Sequence, residues 1–361
     1  MALKRAILPP LTIELFPVRQ ILNTLYVMTQ NAYVHLESDT LRIEVDREKK
    51  MQVPLHHIGS VVCFGDVMMT PGAMHRCAAD GRSVVLLDRN GRFKARLEGP
   101  VSGNILLRQA QFRAADNAGF TLDTAKAMIA GKLRNARQVL QRGARDAANE
   151  NDSAKLTEGA ESLAISIRNI PMAQDLDALR GFEGDAAKNY FACLNTMVRA
   201  DAREAFKMDG RTRRPPRDRF NALLSFLYSM VMNDCRSALE SVGLDPQLGY
   251  LHAVRPGRAA LALDLMEEFR AVLADRLALT LINRAQITEK DFVERPGGAV
   301  LLHDDARKTV VVAYQERKQE EVTHPVIESK LPIGLLPHLQ ARFLARTLRG
   351  EMVGYVPFLM K

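Results

Sequence analysis

The hydrophobic period of this chain changes once, near residue 100, and that change confines the fold to two joined classes. Between Leu25 and about Leu97, apolar residues recur at every second position in short runs: LYVMTQ, AYVHLES, TLRIEVD, KMQVPLH and GSVVCFG, parted by polar turns. Leu41, Ile43 and Val45 alternate with Arg42 and Glu44, so their strand has one buried and one wet face. The succession of runs predicts a β-meander. A short helix over TPGAMHRCAADG interrupts it, entered at Pro71 and closed by Gly81. SVVLLDRNGRFKARLEG then predicts two strands around an Asn90–Gly91 type I′ turn.

After GPVSGN, residues 99–104, apolar spacing becomes three and four, as in ILLRQAQFRAAD, DTAKAMIAGKLRNARQVLQRGARDA and FNALLSFLYSMVMNDCRSALESVG. A long helical pattern runs from about Ala259 to Asn283. GGAVLLHDDARKTVVVAYQERK predicts a small hairpin, and HLQARFLARTLRG a final helix. The expected organisation is α+β: an N-terminal extension (1–20), a strand-rich β domain (21–98), a linker (99–104) and a larger all-α domain (105–361).

Charge narrows the partners. A net charge of +8 and a pI near 9.4 suit a polyanion, either nucleic acid or an anionic membrane surface. No apolar run reaches the roughly 18 residues of a membrane span. The start, MALKRAILPPLTIELFPVRQ, is broken by Pro9, Pro10 and Pro17 and reads as an extension rather than a signal peptide. Cys63, Cys77, Cys193 and Cys235 show no metal spacing and read as small apolar residues of a reducing compartment, so the expected location is the cytoplasm. His56–His57 is expected at a strand edge. The absence of a P-loop, a GxGxxG after a strand and a GxSxG elbow argues against nucleotide-driven motors, dinucleotide enzymes and serine hydrolases.

Within the long helical pattern, LALDLMEEFR sets Asp264 between leucines, with Glu267 and Glu268 one turn on. An unpaired buried carboxylate is costly, so Asp264 needs a partner, a proton or a cation. His252 lies twelve residues upstream in GLDPQLGYLHAVRPGR, before a Pro-Gly break. Carboxylates with one imidazole suit a hard divalent ion, Mg²⁺ or Mn²⁺. The plainer alternative makes Glu267 and Glu268 a solvated helix face and His252 a capping or core residue. Glu183 in RGFEGDAAKNYF sits between Gly181 and Gly184, which allow close backbone approach; its plainer alternative is an acid at a helix start. Lys188 lies on another side of the same segment. RTRRPPRDRF carries five arginines in nine positions, Arg211, Arg213, Arg214, Arg217 and Arg219, and its two prolines make it a stiff loop. Such a cluster binds phosphates without reading sequence, with Arg255 and Arg258 adding to it, unless it is only an exposed basic loop.

Taken in order, RGFEGDAAKNYF, RTRRPPRDRFNALLSFLY, GLDPQLGYLH and GRAALALDLMEEFR resemble the signature stretches of the CRISPR-associated endonuclease/integrase of spacer acquisition, the first-numbered Cas protein. ILNTLYV, LHHIGSVVCFG and EGPVSGNILLRQAQFR resemble its subtype I-C branch, and the likeness runs from about residue 21 to the C-terminus. The resemblance implies a β domain that pairs two copies and a helical catalytic domain. It also implies a metal site falling by motif on Glu183, His252 and Asp264, with Glu267 as a further acid behind them or in direct contact. The implied reaction is insertion of short duplex DNA into a CRISPR array by attack of a 3′-hydroxyl. The implied partners are double-stranded DNA and a smaller second adaptation protein that bridges two dimers. Ala271 stands where that family commonly has proline, which predicts a smoother helix here. The rival expectations are a non-catalytic DNA-binding scaffold and a phosphoesterase of small substrates.

Overall fold

The structure, a computed structural model, describes residues 24–89, 93–97, 99 and 105–360. The extension 1–20, the Asn90–Gly91 turn and all of the 99–104 linker except Gly99 lie outside the described residues. Two compact units divide between residues 101 and 102.

The first unit holds β1 (Thr24–Val27), β2 (Ala32–Glu37), β3 (Thr40–Val45), β4 (Glu48–Pro54), β5 (Ser60–Phe64), β6 (Val67–Met69), α1 (Pro71–Ala79), β7 (Ser83–Leu87) and β8 (Phe93–Leu97). Two sheets form among the described residues, in the orders β1-β5-β7-β8 and β4-β3-β2-β6. The expected meander holds only for β2-β3-β4; β1 and β7 flank β5 in parallel, and β6 lies parallel to β2. The reason is visible in β5, SVVCF, which is buried at every position and so takes a central parallel place rather than a half-wet one. Leu41 and Ile43 of β3 enter the core with Val34, Val61, Cys63, Ala73 and Cys77, as their alternation requires. His56 and His57 lie in a short 3₁₀ turn, not on a strand edge. All four cysteines are unpaired, three of them buried.

The second unit begins with α2 (Ile105–Ala115), α3 (Ala118–Arg145), α4 (Glu150–Asn169), α5 (Leu176–Met197) and α6 (Arg219–Ser241). Asn117, Asn149, Asp175 and Asp218 cap α3 to α6, each side chain accepting a first-turn N–H at 2.7–3.0 Å. Helix α6 is buried on almost every side, as its leucine-rich sequence demands.

The long helix expected over 259–283 is broken. It runs as α7 (Ala260–Met266), a tight turn, a π-helical stretch (Arg270–Asp275) and α8 (Arg276–Asn283). Ala271 therefore does not smooth the helix. The turn is fixed by the bonds Glu267 N to Asp264 O and Phe269 N to Met266 O, at 3.2 and 2.9 Å. A hairpin of β9 (Phe292–Arg295) and β10 (Ala299–Leu302) follows, then α9 (Asp304–Gln319), the ribbon β11 (Glu321–Thr323)–β12 (Lys330–Pro332), and α10 (Leu336–Leu348). The unit is thus helical with two small ribbons rather than all-α. TVVVAY is helical, not a hairpin arm. Asp304 and Asp305 favour a helix start, and Ala306, Val310, Val311 and Tyr314 bury one helical face.

The final segment folds back onto α3. Glu268, fully buried, is bonded by Tyr355 Oη and accepts from Phe358 N (2.7 Å) and Gln340 Nε2 (3.0 Å). Asn135 Nδ2 donates to the carbonyls of both Glu268 and Phe358 at 2.9 Å. Burial pushes the Glu268 carboxyl up to about 8, against the pull of its hydrogen bonds.

Candidate functional site

Three stretches converge in the helical unit: mid-α5, the loop 244–258 and the turn after α7. The loop is built tightly. Gln111 of α2, fully buried, donates to the carbonyls of Asp245 (2.8 Å) and Leu248 (3.2 Å) and accepts from Asp245 N (2.9 Å). Gly249 passes so near α7 that a Cβ there would stand 2.7 Å from Asp264 Oδ2. Arg180 Nη2 donates to Leu251 O at 2.7 Å. Asp264 grips the loop from within: Oδ2 accepts from Tyr250 N and Leu251 N (2.6 and 3.0 Å), Oδ1 from His252 N (2.9 Å).

Asp264 Oδ1 also lies 2.6 Å from His252 Nδ1. A carboxylate acceptor there puts the ring proton on Nδ1 and leaves Nε2 as the lone-pair nitrogen. Nε2 points toward Glu267, 3.9 Å from its Oε1. The two helix acids part company here. Asp264 is 0% exposed with both oxygens engaged inside the fold and does not line the cavity, whereas Glu267 does. Glu267 faces the imidazole.

Glu267 is no solvated residue; it is 3% exposed, and Glu268 points to the opposite, sealed side. Arg270 Nη2 is 2.8 Å from Glu267 Oε1, and Lys132 Nζ is 2.8 Å from Oε2. Burial alone would raise this carboxyl, but the cations Arg270 and Lys132 outweigh it and hold Glu267 down to about 2. Lys132 also ion-pairs with Glu183 Oε1, which joins the two acids through one ammonium. Glu183 stands two turns inside α5, not at its start. Gly181 and Gly184 have open space beside them, so they serve no close approach.

A cavity of about 430 Å³ opens over Glu183, His252 and Glu267, rimmed by Arg180, Arg213, Arg255, Arg258 and Arg270. The predicted arginines separate here. Arg213, Arg255 and Arg258 line the cleft, and Arg214 is exposed close enough to Arg258 to weigh on its charge. Arg211 is turned inward: its guanidinium donates to Asn221 Oδ1 (2.7 Å) and Ser225 Oγ (3.1 Å) and lies 5.2 Å over the Tyr228 ring. Arg217 reaches Gly297 O at 2.6 Å, Arg219 reaches Ala205 O at 2.9 Å, and Lys188 is exposed outside the cleft lining. Sequence reading missed Lys132, Arg180 and Arg270. Arg180 and Arg270 lie three residues from Glu183 and Glu267, a spacing that could have flagged them. Lys132 has no local signal.

Glu183, His252 Nε2 and Glu267 supply two hard oxygens and one nitrogen, a donor set that fits a divalent cation. In the present geometry Lys132 and Arg270 neutralise the acids. Among the described residues no three His, Cys, Asp or Glu side chains stand at ligand distances of one another.

The family model of "CRISPR associated protein Cas1" matches residues 25–316. The "CRISPR-associated endonuclease Cas1 1" of Moorella thermoacetica is 59% identical over 341 residues, 94% of this chain and 99% of that protein. Its namesake in Chlorobaculum tepidum is 48% identical over 340 residues, again 94% and 99%. Among solved structures, a Cas1 protein from Thermotoga maritima superposes with a TM-score of 0.78 at 23% identity, covering 92% of this chain and 98% of that one. A casposase bound to integration product gives 0.77 at 20%, covering 93% of each chain. These two likenesses establish the α+β fold. With one family model spanning most of its length and a 59% identical relative matched almost end to end, the chain belongs to the Cas1 family.

Proposed function

We propose that this chain is a metal-dependent DNA endonuclease and integrase that inserts short duplex segments into a CRISPR array. The observation that carries this is the acid–imidazole–acid set of Glu183, His252 and Glu267 on the floor of an arginine-rimmed cleft. Such a cleft draws in a polyanionic backbone and brings its phosphate over the acids.

Glu183, His252 Nε2 and Glu267 would hold Mg²⁺ or Mn²⁺. When bound, the ion offsets the charge on a non-bridging phosphate oxygen and lowers the pKa of an attacking water or 3′-hydroxyl. The chain's own residues do the rest. Asp264 fixes the ring and tautomer of His252. Arg213, Arg255 and Arg258 hold flanking phosphates, and Arg270 keeps Glu267 ionised and aimed into the cleft. Phosphate contacts place DNA without reading it, so the choice of site falls to its partners. Three finer readings follow the sequence resemblance, pairing of two copies through the β unit, a smaller second adaptation protein bridging two dimers and the subtype I-C branch; a cytoplasmic location follows from the cysteine usage. No helix among the described residues is long and apolar enough to cross a membrane.

The test is strand transfer of a short labelled duplex with 3′-hydroxyl ends into a supercoiled plasmid carrying a repeat array. It includes the small partner and Mg²⁺, Mn²⁺ or EDTA, with His252→Ala beside the wild type. Label entering the plasmid only with wild type and metal is the expected result. Transfer by His252→Ala would remove the site assignment; binding without transfer would leave a scaffold.

A further inference from the structure

Lys132 touches both cleft acids yet has no place in the mechanism above. It stands on α3, 12% exposed, and its ammonium touches Glu183 Oε1 and, at 2.8 Å, Glu267 Oε2. Its mounting is rigid. Gly131, the preceding residue, lies so close to the C-terminal segment that a Cβ there would be 2.7 Å from Pro357 Cβ. Asn135, one turn later, grips the carbonyl of Glu268, the residue next to Glu267. Helix α3 therefore carries Lys132 at a fixed station beside the turn that carries Glu267, while the four-carbon stem leaves the ammonium free to move.

We propose that Lys132 is the site's resident cation: without metal its ammonium bridges Glu183 and Glu267, and a divalent ion must displace it to bind there. The inference rests on the metal reading of the previous section. Two carboxylates facing one cavity repel each other at low dielectric, and one ammonium between them relieves that repulsion. A divalent ion has twice the charge for the same pair of oxygens, so it wins the competition while losing part of its affinity to it. The lysine thus keeps the acids in register in the empty protein and sets a threshold of free metal below which the site stays closed. A purely structural lysine would contribute equally to stability with and without metal.

The experiment is titration of the full-length chain with Mn²⁺ alone, following free Mn²⁺ by electron paramagnetic resonance, for wild type, Lys132→Met and Lys132→Arg. Thermal unfolding is run with and without saturating Mn²⁺. The expected result is about tenfold tighter Mn²⁺ binding by Lys132→Met, near-wild-type binding by Lys132→Arg, and a larger gain in Tm on adding metal to the methionine variant. Should Lys132→Met not fold, Lys132→Gln, which keeps donors but drops the charge, is expected to show the same shift. Wild type that binds Mn²⁺ while the uncharged variants bind equally or more weakly overturns the role of Lys132 and leaves the metal reading intact. Absence of binding in every form overturns both.

Discussion

Three backbone N–H groups and one imidazole depend on Asp264, and each is left unanswered if that carboxylate is removed. Asp264→Ala is therefore expected to lose about 3–5 kcal/mol of stability in urea unfolding, because buried donors then lack an acceptor. His252→Ala, whose side chain is 20% exposed, is expected to stay within about 1 kcal/mol of wild type. Both variants should fail in strand transfer, the first by deforming the loop and the second by removing a donor. An Asp264→Ala protein as stable as wild type would return the aspartate to the cleft. At this scale the sequence was half legible. A carboxylate among leucines announces that it must be satisfied, and the helical spacing puts Asp264 and Glu267 on nearby faces. Which of them turns inward was decided by a contact no local pattern records, the passage of Gly249 against α7.

At the scale of elements, the break between α7 and α8 sets the directions of the acids that follow it. A tightened turn at 264–269 is followed by a widened one, and within it Glu267 faces the cleft while Glu268, about 100° round, enters the sealed interior. Apolar periodicity continues through the break, which is why the pattern read as one helix. The arginine loop shows the opposite case, where like residues divide by direction. Asn221 binds Thr212 N, Arg211 and Gly210 O, so the loop's first turn belongs to the core. Arg211→Ala is expected to cost about 1–3 kcal/mol in stability and to leave the salt dependence of DNA binding unchanged. Arg213→Ala with Arg214→Ala should leave stability within about 0.5 kcal/mol and reduce the slope of log K against log salt by about 2. Equal slopes for the two proteins, measured by fluorescence anisotropy between about 50 and 300 mM salt, would contradict the division.

For the whole molecule, the division into a strand-rich and a helical unit was plain from period alone, since a two-residue repeat cannot sit as a helix nor a 3.6-residue repeat as a sheet. Strand order was not, because parallel pairing of β5 with β1 and β7 is a matter of distant segments meeting. The same holds for Lys132, which lies 51 residues from Glu183 and finds it only when α3 and α5 pack. The C-terminal segment is the furthest-reaching tie of this kind. Removing residues 355–361 takes away Phe358, 1% exposed, and two of the partners of buried Glu268. The expected cost is at least about 3–5 kcal/mol, seen as a lower unfolding temperature, together with loss of strand transfer. A shortened chain that melts with the wild type would show that the segment is dispensable. Its position also has a bearing on timing. Synthesis proceeds at about 5–20 residues per second, and N-terminal parts fold first. Tyr355 and Phe358 follow Glu268 by 87 and 90 residues, so during synthesis that buried carboxylate waits for its partners long after its own turn has been made.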